Sequence, residues 1–374
     1  MDKIFVKIIK YTLLFLLIFI KNSYAQSLET ILKNSESELI SYVYSNQEKF
    51  EVQIILTELK KRGKSFTIHK KKFNSDKNNY FYPASSIKLP IALLTIEKIN
   101  ESSDLNINSE FSIQGDSIIT TFKKEITDLF IISSNESYNR LFEFLGQDYI
   151  NEKLKQKGFK DFSISHRLST KDSDNLETKE ITFYSNGEIL KIQKSIKNKP
   201  VSKLNLKNLN KGIGFISNNK LQNKPMDFSR KNYFSINELN NILICLFFPE
   251  ISKNKKFYLS KSQNLLIQKL MSSTPFEMGF DKNMYPNNYN KFFIYGDKNG
   301  MINDNIFNKV GNAYGYSIDN AYIYNKNSDR HFVITACIYT NANNILNDNN
   351  YEYDEIGIPF LAEIGRLLTK YDIR

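Results

Sequence analysis

Cysteine and histidine are scarce in this sequence. Of its 374 residues, only Cys245 and Cys337 are cysteines, so at most one intramolecular disulfide can form. Both lie in apolar runs, which favours two small buried thiols over a bridge. The histidines, His69, His166 and His331, are scattered without the spacing of a ligand set. The sequence therefore predicts no metal site and no cofactor.

Near its start, the chain also lacks a hydrophobic run long enough to cross a membrane. The apolar stretch 11–20 is about half of the roughly 20 residues that a spanning helix needs. Lys3, Lys7 and Lys10 precede it and Ser23-Tyr24-Ala25 follows, which is the order of a secretory signal. A retained anchor is the alternative. We expect residues 1–25 to be cleaved, leaving a periplasmic or secreted protein without stable membrane insertion.

No nucleic-acid-binding motif accompanies the formal net charge of +11. Part of that charge lies in residues 1–25, and elsewhere acidic residues are interspersed with the lysines. We expect no nucleic-acid partner. The remainder, 26–374, contains no internal repeat and no long linker, and its 28 Phe and 22 Tyr can fill a large core. It is predicted to be one domain and a monomer.

Helical and strand-like segments alternate along this domain. Helical spacing covers 28–43, a segment starting near Ser85, 125–133, 136–145, 235–247, 259–271 and 358–368, and strand-like runs cover 52–56, 65–69, 182–190 and parts of 292–339. Strands at both ends with helices between them predict an α/β fold, in which an antiparallel sheet from both chain ends is packed by helices beside an all-helical lobe. The stretch 178–256 fits no part of this scheme and is expected to be an insertion.

A serine and a lysine three residues apart stand at the start of one predicted helix. Ser85 and Lys88 would share a helix face, so the amine could serve as a base for the hydroxyl once its pKa is lowered by burial or by nearby cations. The same spacing occurs at Ser217 with Lys220, and a serine at a helix start is often only a cap.

Two further segments could complete a site. Ser133-Ser134-Asn135 lies between two helical runs, where a hydroxyl and an amide could relay a proton and hold a substrate amide; a simple helix cap is the alternative. Lys309-Val310-Gly311-Asn312 opens a probable strand, where the lysine could attract a carboxylate and the glycine could let a substrate approach. A turn with a solvated lysine is the alternative there.

Taken in order, these segments resemble the serine β-lactamases and penicillin-binding proteins, most nearly the class A β-lactamases. Ser85-Ser86-Ile87-Lys88 resembles the family's Ser-x-x-Lys, Ser133-Ser134-Asn135 its Ser-Asp-Asn, and Lys309-Val310-Gly311 its Lys-Thr-Gly. The resemblance implies that Ser85 is the nucleophile, that Lys88 and Ser133 move protons, that Asn135 and Lys309 bind substrate, and that backbone N–H groups of Ser85 and Asn312 form an oxyanion hole.

The sequence departs from the family pattern at two places. Val310 cannot donate the hydroxyl hydrogen bond that the family's threonine gives to a substrate carboxylate. Ser169, after Arg167-Leu168, stands where class A enzymes have the glutamate that activates the deacylating water, and Asp172 is the nearest acid, with Asp174, Glu177 and Glu180 as rivals. The literal triplet Ser173-Asp174-Asn175 lies in a polar stretch without helical flanks.

The resemblance implies a serine hydrolase that opens β-lactam amides through an acyl-serine intermediate, with a small-molecule β-lactam or a D-alanyl peptide as substrate. Two alternatives stay open. One is a penicillin-binding peptidase that acts on D-alanyl peptides, and the other is a non-catalytic cell-envelope protein of the same fold.

Overall fold

The computed structural model describes residues 26–63, 65–76, 78–252, 255–297, 305–326 and 328–370. The predicted signal sequence lies outside these residues. The described strands are β1 Gln53–Arg62, β2 Ser65–Phe73, β3 Glu110–Ile113, β4 Thr120–Thr121, β5 Phe162–Ser163, β6 Ile181–Ser185, β7 Glu188–Gln193, β8 Asn210–Lys211, β9 Gly214–Ser217, β10 Lys220–Gln222, β11 Met226–Asp227, β12 Tyr233–Phe234, β13 Asn305–Ala313, β14 Tyr316–Asn325, β15 Arg330–Tyr339 and β16 Ile345–Leu346.

The helices are interleaved with these strands. They are α1 Leu28–Lys33, α2 Glu38–Ser45, α3 Lys88–Asn100, α4 Phe122–Ile131, α5 Asn135–Leu145, α6 Gln147–Gln156, α7 Ile236–Phe247, α8 Lys261–Ser272 and α9 Ile358–Lys370, with short 3₁₀ turns at Ala84–Ile87 and Phe276–Met278 and a π turn at Tyr353–Gly357.

A five-stranded antiparallel sheet joins the two ends of the chain. Its strand order is β13-β14-β15-β1-β2. In β1, Leu56 lies opposite Ile334 of β15 on one side and opposite Lys71 of β2 on the other. The β1–β2 hairpin turns at Gly63, whose φ of 63° suits glycine. This sheet confirms the predicted fold class.

Two hydrophobic cores lie on the two faces of the sheet. One face carries α1, α2 and α9, whose buried side chains include Ile31, Val43 and Phe360. The other face carries α7 and the helical lobe, where α3 is buried around most of its circumference. Such all-round burial requires an apolar helix, and α3 has Leu93, Leu94 and neighbouring aliphatic residues on nearly every side.

The prediction of a single helix over 28–43 is wrong. The chain forms α1 and α2 instead, because Ser37 starts a new helix by accepting the backbone N–H of Ile40 at 3.0 Å. Asn34 ends α1, and Ser35 accepts the backbone N–H of Ser37 at 3.2 Å. Short polar side chains compete in this way with continued helical hydrogen bonds.

Most other predicted elements are confirmed. Helix α5 ends at Gly146, whose φ is 78°, and β6 and β7 are joined by a turn through Asn186-Gly187. Helix α7 is capped by Ser235 as predicted, and α8 has a full capping box formed by Ser260 and Gln263. The helical lobe also contains a third helix, α6, and the strand pair β3–β4 at its edge.

The stretch 178–256 divides into two parts. Its last helix, α7, packs on the central sheet, where the Asn240 amide donates to the backbone oxygen of Val333 at 3.2 Å and accepts from Thr57 at 2.8 Å. The remainder forms small sheets: β6 and β7 extend β3, β8 pairs with β11, and β9 pairs in parallel with β16 near the C-terminus.

Both cysteines are free and buried, which confirms the prediction of two thiols. Among the described residues, no helix is long and apolar enough to cross a membrane. The same residues contain no group of three or more His, Cys, Asp or Glu side chains placed to hold a metal ion.

Candidate active site

Ser85 lies in a single 3₁₀ turn that leads directly into α3. The turn spans Ala84–Ile87, and α3 begins at Lys88. Pro90 is tolerated in the first turn of α3 because the N–H groups there have no intrahelical partner. The Ser86 hydroxyl donates to the backbone oxygen of Pro83 at 2.5 Å and fixes the turn. Ser85 itself is half-buried and lines the cleft.

Gly311 brings the edge strand β13 against this turn. A Cβ atom at position 311 would lie 2.5 Å from the backbone nitrogen of Ser85 and 2.9 Å from Cβ of Ala84. Real Cβ atoms do not approach other heavy atoms so closely, so only glycine allows this contact. The strand with Lys309 and Asn312 is thereby held beside Ser85.

Lys88 reaches across the cleft to the junction between α4 and α5. Its ammonium nitrogen donates to the backbone oxygen of Ser133, to the Ser133 hydroxyl at 3.3 Å and to Oδ1 of Asn135 at 2.7 Å. None of the hydrogen bonds of the described residues joins Lys88 to the Ser85 hydroxyl. Such catalytic contacts often form only when substrate is bound.

Lys309 approaches the same hydroxyl from the opposite side. Its ammonium nitrogen donates to Ser133 Oγ at 2.8 Å and to the backbone oxygen of Val310 at 3.0 Å. Ser133 therefore lies between two lysines that are 45 and 176 residues away in the sequence. Its backbone has a φ of 54°, in the left-handed region.

Burial lowers the pKa of both lysines. The Lys88 side chain is 0% exposed, and desolvation, followed by repulsion from Lys309, holds its pKa well below the usual value, with Glu136 acting in the opposite direction. Desolvation lowers the pKa of Lys309 to about 7, opposed by Asp319 and reinforced by Lys291. A buried lysine of this kind can exist as the neutral amine that a base must be.

A buried polar cluster around Asp319 lies near Lys309 and acts on its pKa. Asp319, opposite Val310 in the β13–β14 register, accepts the Phe293 backbone N–H at 2.9 Å and the Asn308 amide at 2.9 Å. Desolvation raises the pKa of Asp319 to about 6, while these donors and Lys291 lower it. The carboxylate is the counter-charge that limits the fall in the Lys309 pKa.

Asn135 connects the lysine cluster to Ser169. The Asn135 amide donates to the Ser169 hydroxyl at 2.9 Å, while its oxygen accepts from Lys88. Ser169 thus faces the cleft at the position where the family resemblance implies a glutamate. Its φ of 49° is one of several positive values of non-glycine residues around the cleft, together with Ala84, Ser133 and Tyr314. Strained backbone of this kind concentrates at functional sites.

The loop 167–179 that carries Ser169 is fastened by a buried ion pair. Arg167 donates to both carboxylate oxygens of Glu143 in α5, at 2.5 and 2.9 Å, and to the backbone oxygens of Asn175 and Glu177. Glu143 also accepts the backbone N–H of Lys179 at 2.8 Å. The triplet 173–175 belongs to this loop and contributes backbone oxygens to Arg167.

None of the four acids considered as replacements for the glutamate lines the cleft beside Ser85. Glu177 accepts from Ser195 at 2.8 Å, and Glu180 pairs with Lys194 at 2.9 Å. Asp172 and Asp174 are exposed on the outer part of the loop. Within the described residues, the hydroxyl of Ser169 is therefore what the loop presents to Asn135.

Two cavities flank Ser85, and Ser85, Asn135 and Asn312 line both. The first, of about 480 Å³, is walled by tyrosines that include Tyr82 and Tyr314. The second, of about 420 Å³, is bounded by Ser133, Val310, Gly311 and, among other residues, Asp354. Val310 is 4% exposed and packs in the core with α9. Because it is a valine, this position offers no side-chain hydroxyl to a substrate carboxylate.

The structure thus brings Ser85, Lys88, Ser133, Asn135, Lys309, Gly311 and Asn312 to one cleft. Sequence reasoning missed Glu143, Lys291, Asp354 and Lys231, a lysine that lines the first cavity. Only Glu143 had a usable signal: it is an acid at a position that the helical pattern of α5 turns inward, which calls for a buried cation. Lys291 and Lys231 lie in loops, and Asp354 lies in the short π turn before α9, where no periodicity marks them.

Comparison with known proteins adds family and fold. A family model described as Beta-lactamase enzyme family (Beta-lactamase2) matches residues 36–371. No curated protein matches the sequence. A class A β-lactamase from Bacteroides cellulosilyticus is structurally similar with a TM-score of 0.53 at 11% identity, covering 92% of this chain and 98% of its own.

Two further solved structures show the same likeness. A β-lactamase from Sphaerobacter thermophilus has a TM-score of 0.51 at 12% identity, with 88% of this chain and 94% of that chain covered. A mutant of PBP-A, solved as an acyl-enzyme complex with penicillin G, has a TM-score of 0.53 at 12% identity, with 93% and 99% covered. At these identities the structural likeness establishes the fold.

Proposed function

Since this chain belongs to the beta-lactamase enzyme family, we propose that it is a serine hydrolase that opens β-lactam amides through an ester on Ser85. The observation that carries this proposal is the convergence of the buried amines of Lys88 and Lys309 on the Ser133 hydroxyl, at the wall of a cavity that Ser85 also lines. A neutral amine beside a hydroxyl relay is what activation of a serine requires.

In the proposed acylation, Ser85 Oγ attacks the lactam carbonyl carbon and the ring C–N bond breaks. The proton of the Ser85 hydroxyl passes to neutral Lys88, and Ser133 delivers a proton to the departing lactam nitrogen while it is reprotonated from Lys88. The backbone N–H groups of Ser85 and Asn312 stabilise the oxyanion. Asn135 holds the substrate amide. Lys309 in its charged form, next to the Ser133 hydroxyl, attracts the substrate carboxylate.

Hydrolysis of the resulting ester requires a base for water. Ser169 offers a hydroxyl there, and none of Asp172, Asp174, Glu177 and Glu180 lines either cavity beside Ser85. We therefore propose fast acylation followed by slow deacylation. This same observation favours a second candidate function, a penicillin-binding peptidase that acts on D-alanyl peptides by the same acylation chemistry.

Mass spectrometry after incubation with benzylpenicillin tests the common step. A mass increase equal to one penicillin on the native protein, absent in Ser85→Ala, is the expected result. Absence of any adduct in folded native protein, with penicillins and with a fluorophosphonate, would instead support a non-catalytic envelope protein. Nitrocefin separates the two enzymes: steady turnover favours the β-lactamase, and a stoichiometric burst favours the peptidase.

We also propose that the protein acts outside the cytoplasm, since its N-terminal residues have the pattern of a secretory signal. N-terminal sequencing of protein recovered from the periplasm or medium should begin at Gln26. Recovery of unprocessed chain from the membrane fraction would contradict this.

A further inference from the structure

The stretch 178–256, which the family resemblance leaves unplaced, contributes to the first cavity beside Ser85 and to its supports. The segment 347–353 forms one wall, and the Asn347 amide donates to the backbone oxygen of Ile216 in β9 at 3.3 Å. The Tyr351 hydroxyl accepts the Asn347 backbone N–H at 2.7 Å. Strand β9 also pairs with β16, which precedes this segment. The small sheet of β10, β9 and β16 therefore supports this wall of the cavity.

Lys231 comes from the same region and lines this cavity directly. Its backbone N–H donates to the oxygen of Phe228 at 3.0 Å, and Phe228 is fully buried. The Phe228 ring packs edge-on against Tyr314 at 5.2 Å and near Tyr82 at 6.0 Å, and these two tyrosines line the cavity. The backbone of Lys231 is thus fixed to the aromatic wall.

The charges around the cavity are unbalanced. Arg167 is neutralised by Glu143, and burial lowers the pKa of His166 to about 4, so that its ring is uncharged at neutral pH. No Asp or Glu lines the cavity among the residues that the structure describes. Lys231 makes no side-chain hydrogen bond or ion pair within that part of the chain. Desolvation lowers its pKa, and the carboxylate of Asp174, which forms no ion pair with it, partly opposes that effect.

We propose that this cavity binds the acyl side of the substrate and that Lys231 pairs with a carboxylate there, so that the preferred substrates are acidic acyl amides or peptides. The inference rests on the proposed acylation of Ser85. Lys309 lies on the side of the second cavity, where it would attract the carboxylate beside the departing nitrogen. The first cavity, on the other side of Ser85, is left for the acyl side chain. Its tyrosine and asparagine side chains can hydrogen-bond an amide backbone.

Three penicillins that differ at one carbon test the charge preference. Benzylpenicillin, carbenicillin and ampicillin carry hydrogen, carboxylate and ammonium at the α-carbon of the same side chain. We expect the second-order rate constant for acylation to follow carbenicillin, benzylpenicillin, ampicillin in descending order, with roughly 10-fold between the first two, as for a partly buried charge pair. Lys231→Met should abolish the order, Lys231→Arg should keep it, and Lys224→Met, an exposed lysine of the same region, should leave it unchanged.

Calorimetric binding to Ser85→Ala separates this inference from the proposed function. If none of the three acylates the native protein but Ser85→Ala binds them in the same order, the acylation proposal fails and the cavity assignment stands. Equal acylation rates for all three, an order that persists in Lys231→Met, or no binding of carbenicillin to Ser85→Ala would each overturn the assignment.

Discussion

The Asn135 amide donates to the Ser169 hydroxyl at 2.9 Å, next to the cavity that Ser85 lines. A hydroxyl thus stands where the family resemblance implies the carboxylate that activates the deacylating water. A serine hydroxyl is too weak a base for that role at neutral pH. We therefore expect deacylation to be slower than acylation.

Ser169→Glu should accelerate deacylation, because it places a carboxylate beside Asn135. A positioned general base contributes about 10²-fold or more, so we expect turnover of nitrocefin to rise by roughly that factor while the acylation rate changes little. Stopped-flow measurement of the burst and of the steady rate separates the two steps. Ser169→Gln is the matched control, since it has similar size without basicity; a rise in both variants would show that a base is not the cause.

The pH dependence of acylation should report Lys88. Acylation requires the neutral amine, so its rate should rise with pH through the Lys88 pKa, at a pH well below the usual lysine value because burial and Lys309 lower that pKa. Glu136 raises the pKa, so Glu136→Gln should move the rising limb to lower pH. Acylation rates of both proteins across pH check the sign, and a shift to higher pH would contradict the assignment.

Gly311→Ala should impair acylation more than folding. The added methyl would meet the Ser85 backbone nitrogen at 2.5 Å, so the strand and the nucleophile must separate. A displacement of this order typically costs about 10²-fold in rate. Gly115→Ala is a useful comparison, because it has open space but a φ of 81°. It should lose about 1–2 kcal/mol of stability, because alanine is strained at this φ, and keep the acylation rate; equal rate losses in both would point to general destabilisation.

Glu143→Ala should destabilise the protein by about 3 kcal/mol or more, because it leaves Arg167 buried without its counter-charge. The two side chains are 5% and 7% exposed. The exposed pair of Glu180 with Lys194 is the control: Glu180→Ala should change stability by less than about 1 kcal/mol. Urea unfolding measures both, and limited proteolysis should show earlier cleavage within 167–179 in Glu143→Ala alone.

The sequence was sufficient for the fold and for the predicted residues that meet at the cleft, such as Ser85, Lys88 and Lys309, because each motif is local. Ser85 and Lys88 are three residues apart, and the strand pattern around Lys309 survives the replacement at Val310. The distances between the three segments depend on how the sheet and lobe pack, which no local pattern encodes. The resemblance to a known family supplied that arrangement.

Other features depend on partners distant in sequence. The break between α1 and α2 follows from a cap at Ser37 that competes with continuous apolar spacing. The pairing of Arg167 with Glu143 joins a loop to a helix. The role proposed for Lys231 depends on a cavity whose lining comes from six separate parts of the chain. Composition and periodicity do not identify the partners of such residues, although the inward position of Glu143 in α5 indicates that a buried cation is needed.

The pairing of β1 with β15 has a consequence for how activity arises. Leu56 and Ile334 are neighbours in the sheet. Strand β13, which holds Gly311 against Ser85, pairs with β14, and β14 pairs with β15. Contacts between such distant segments form slowly. Ser85 therefore gains the neighbouring strand β13 only after synthesis has passed β15, and a chain that stops before β13 should contain Ser85 without Gly311 beside it.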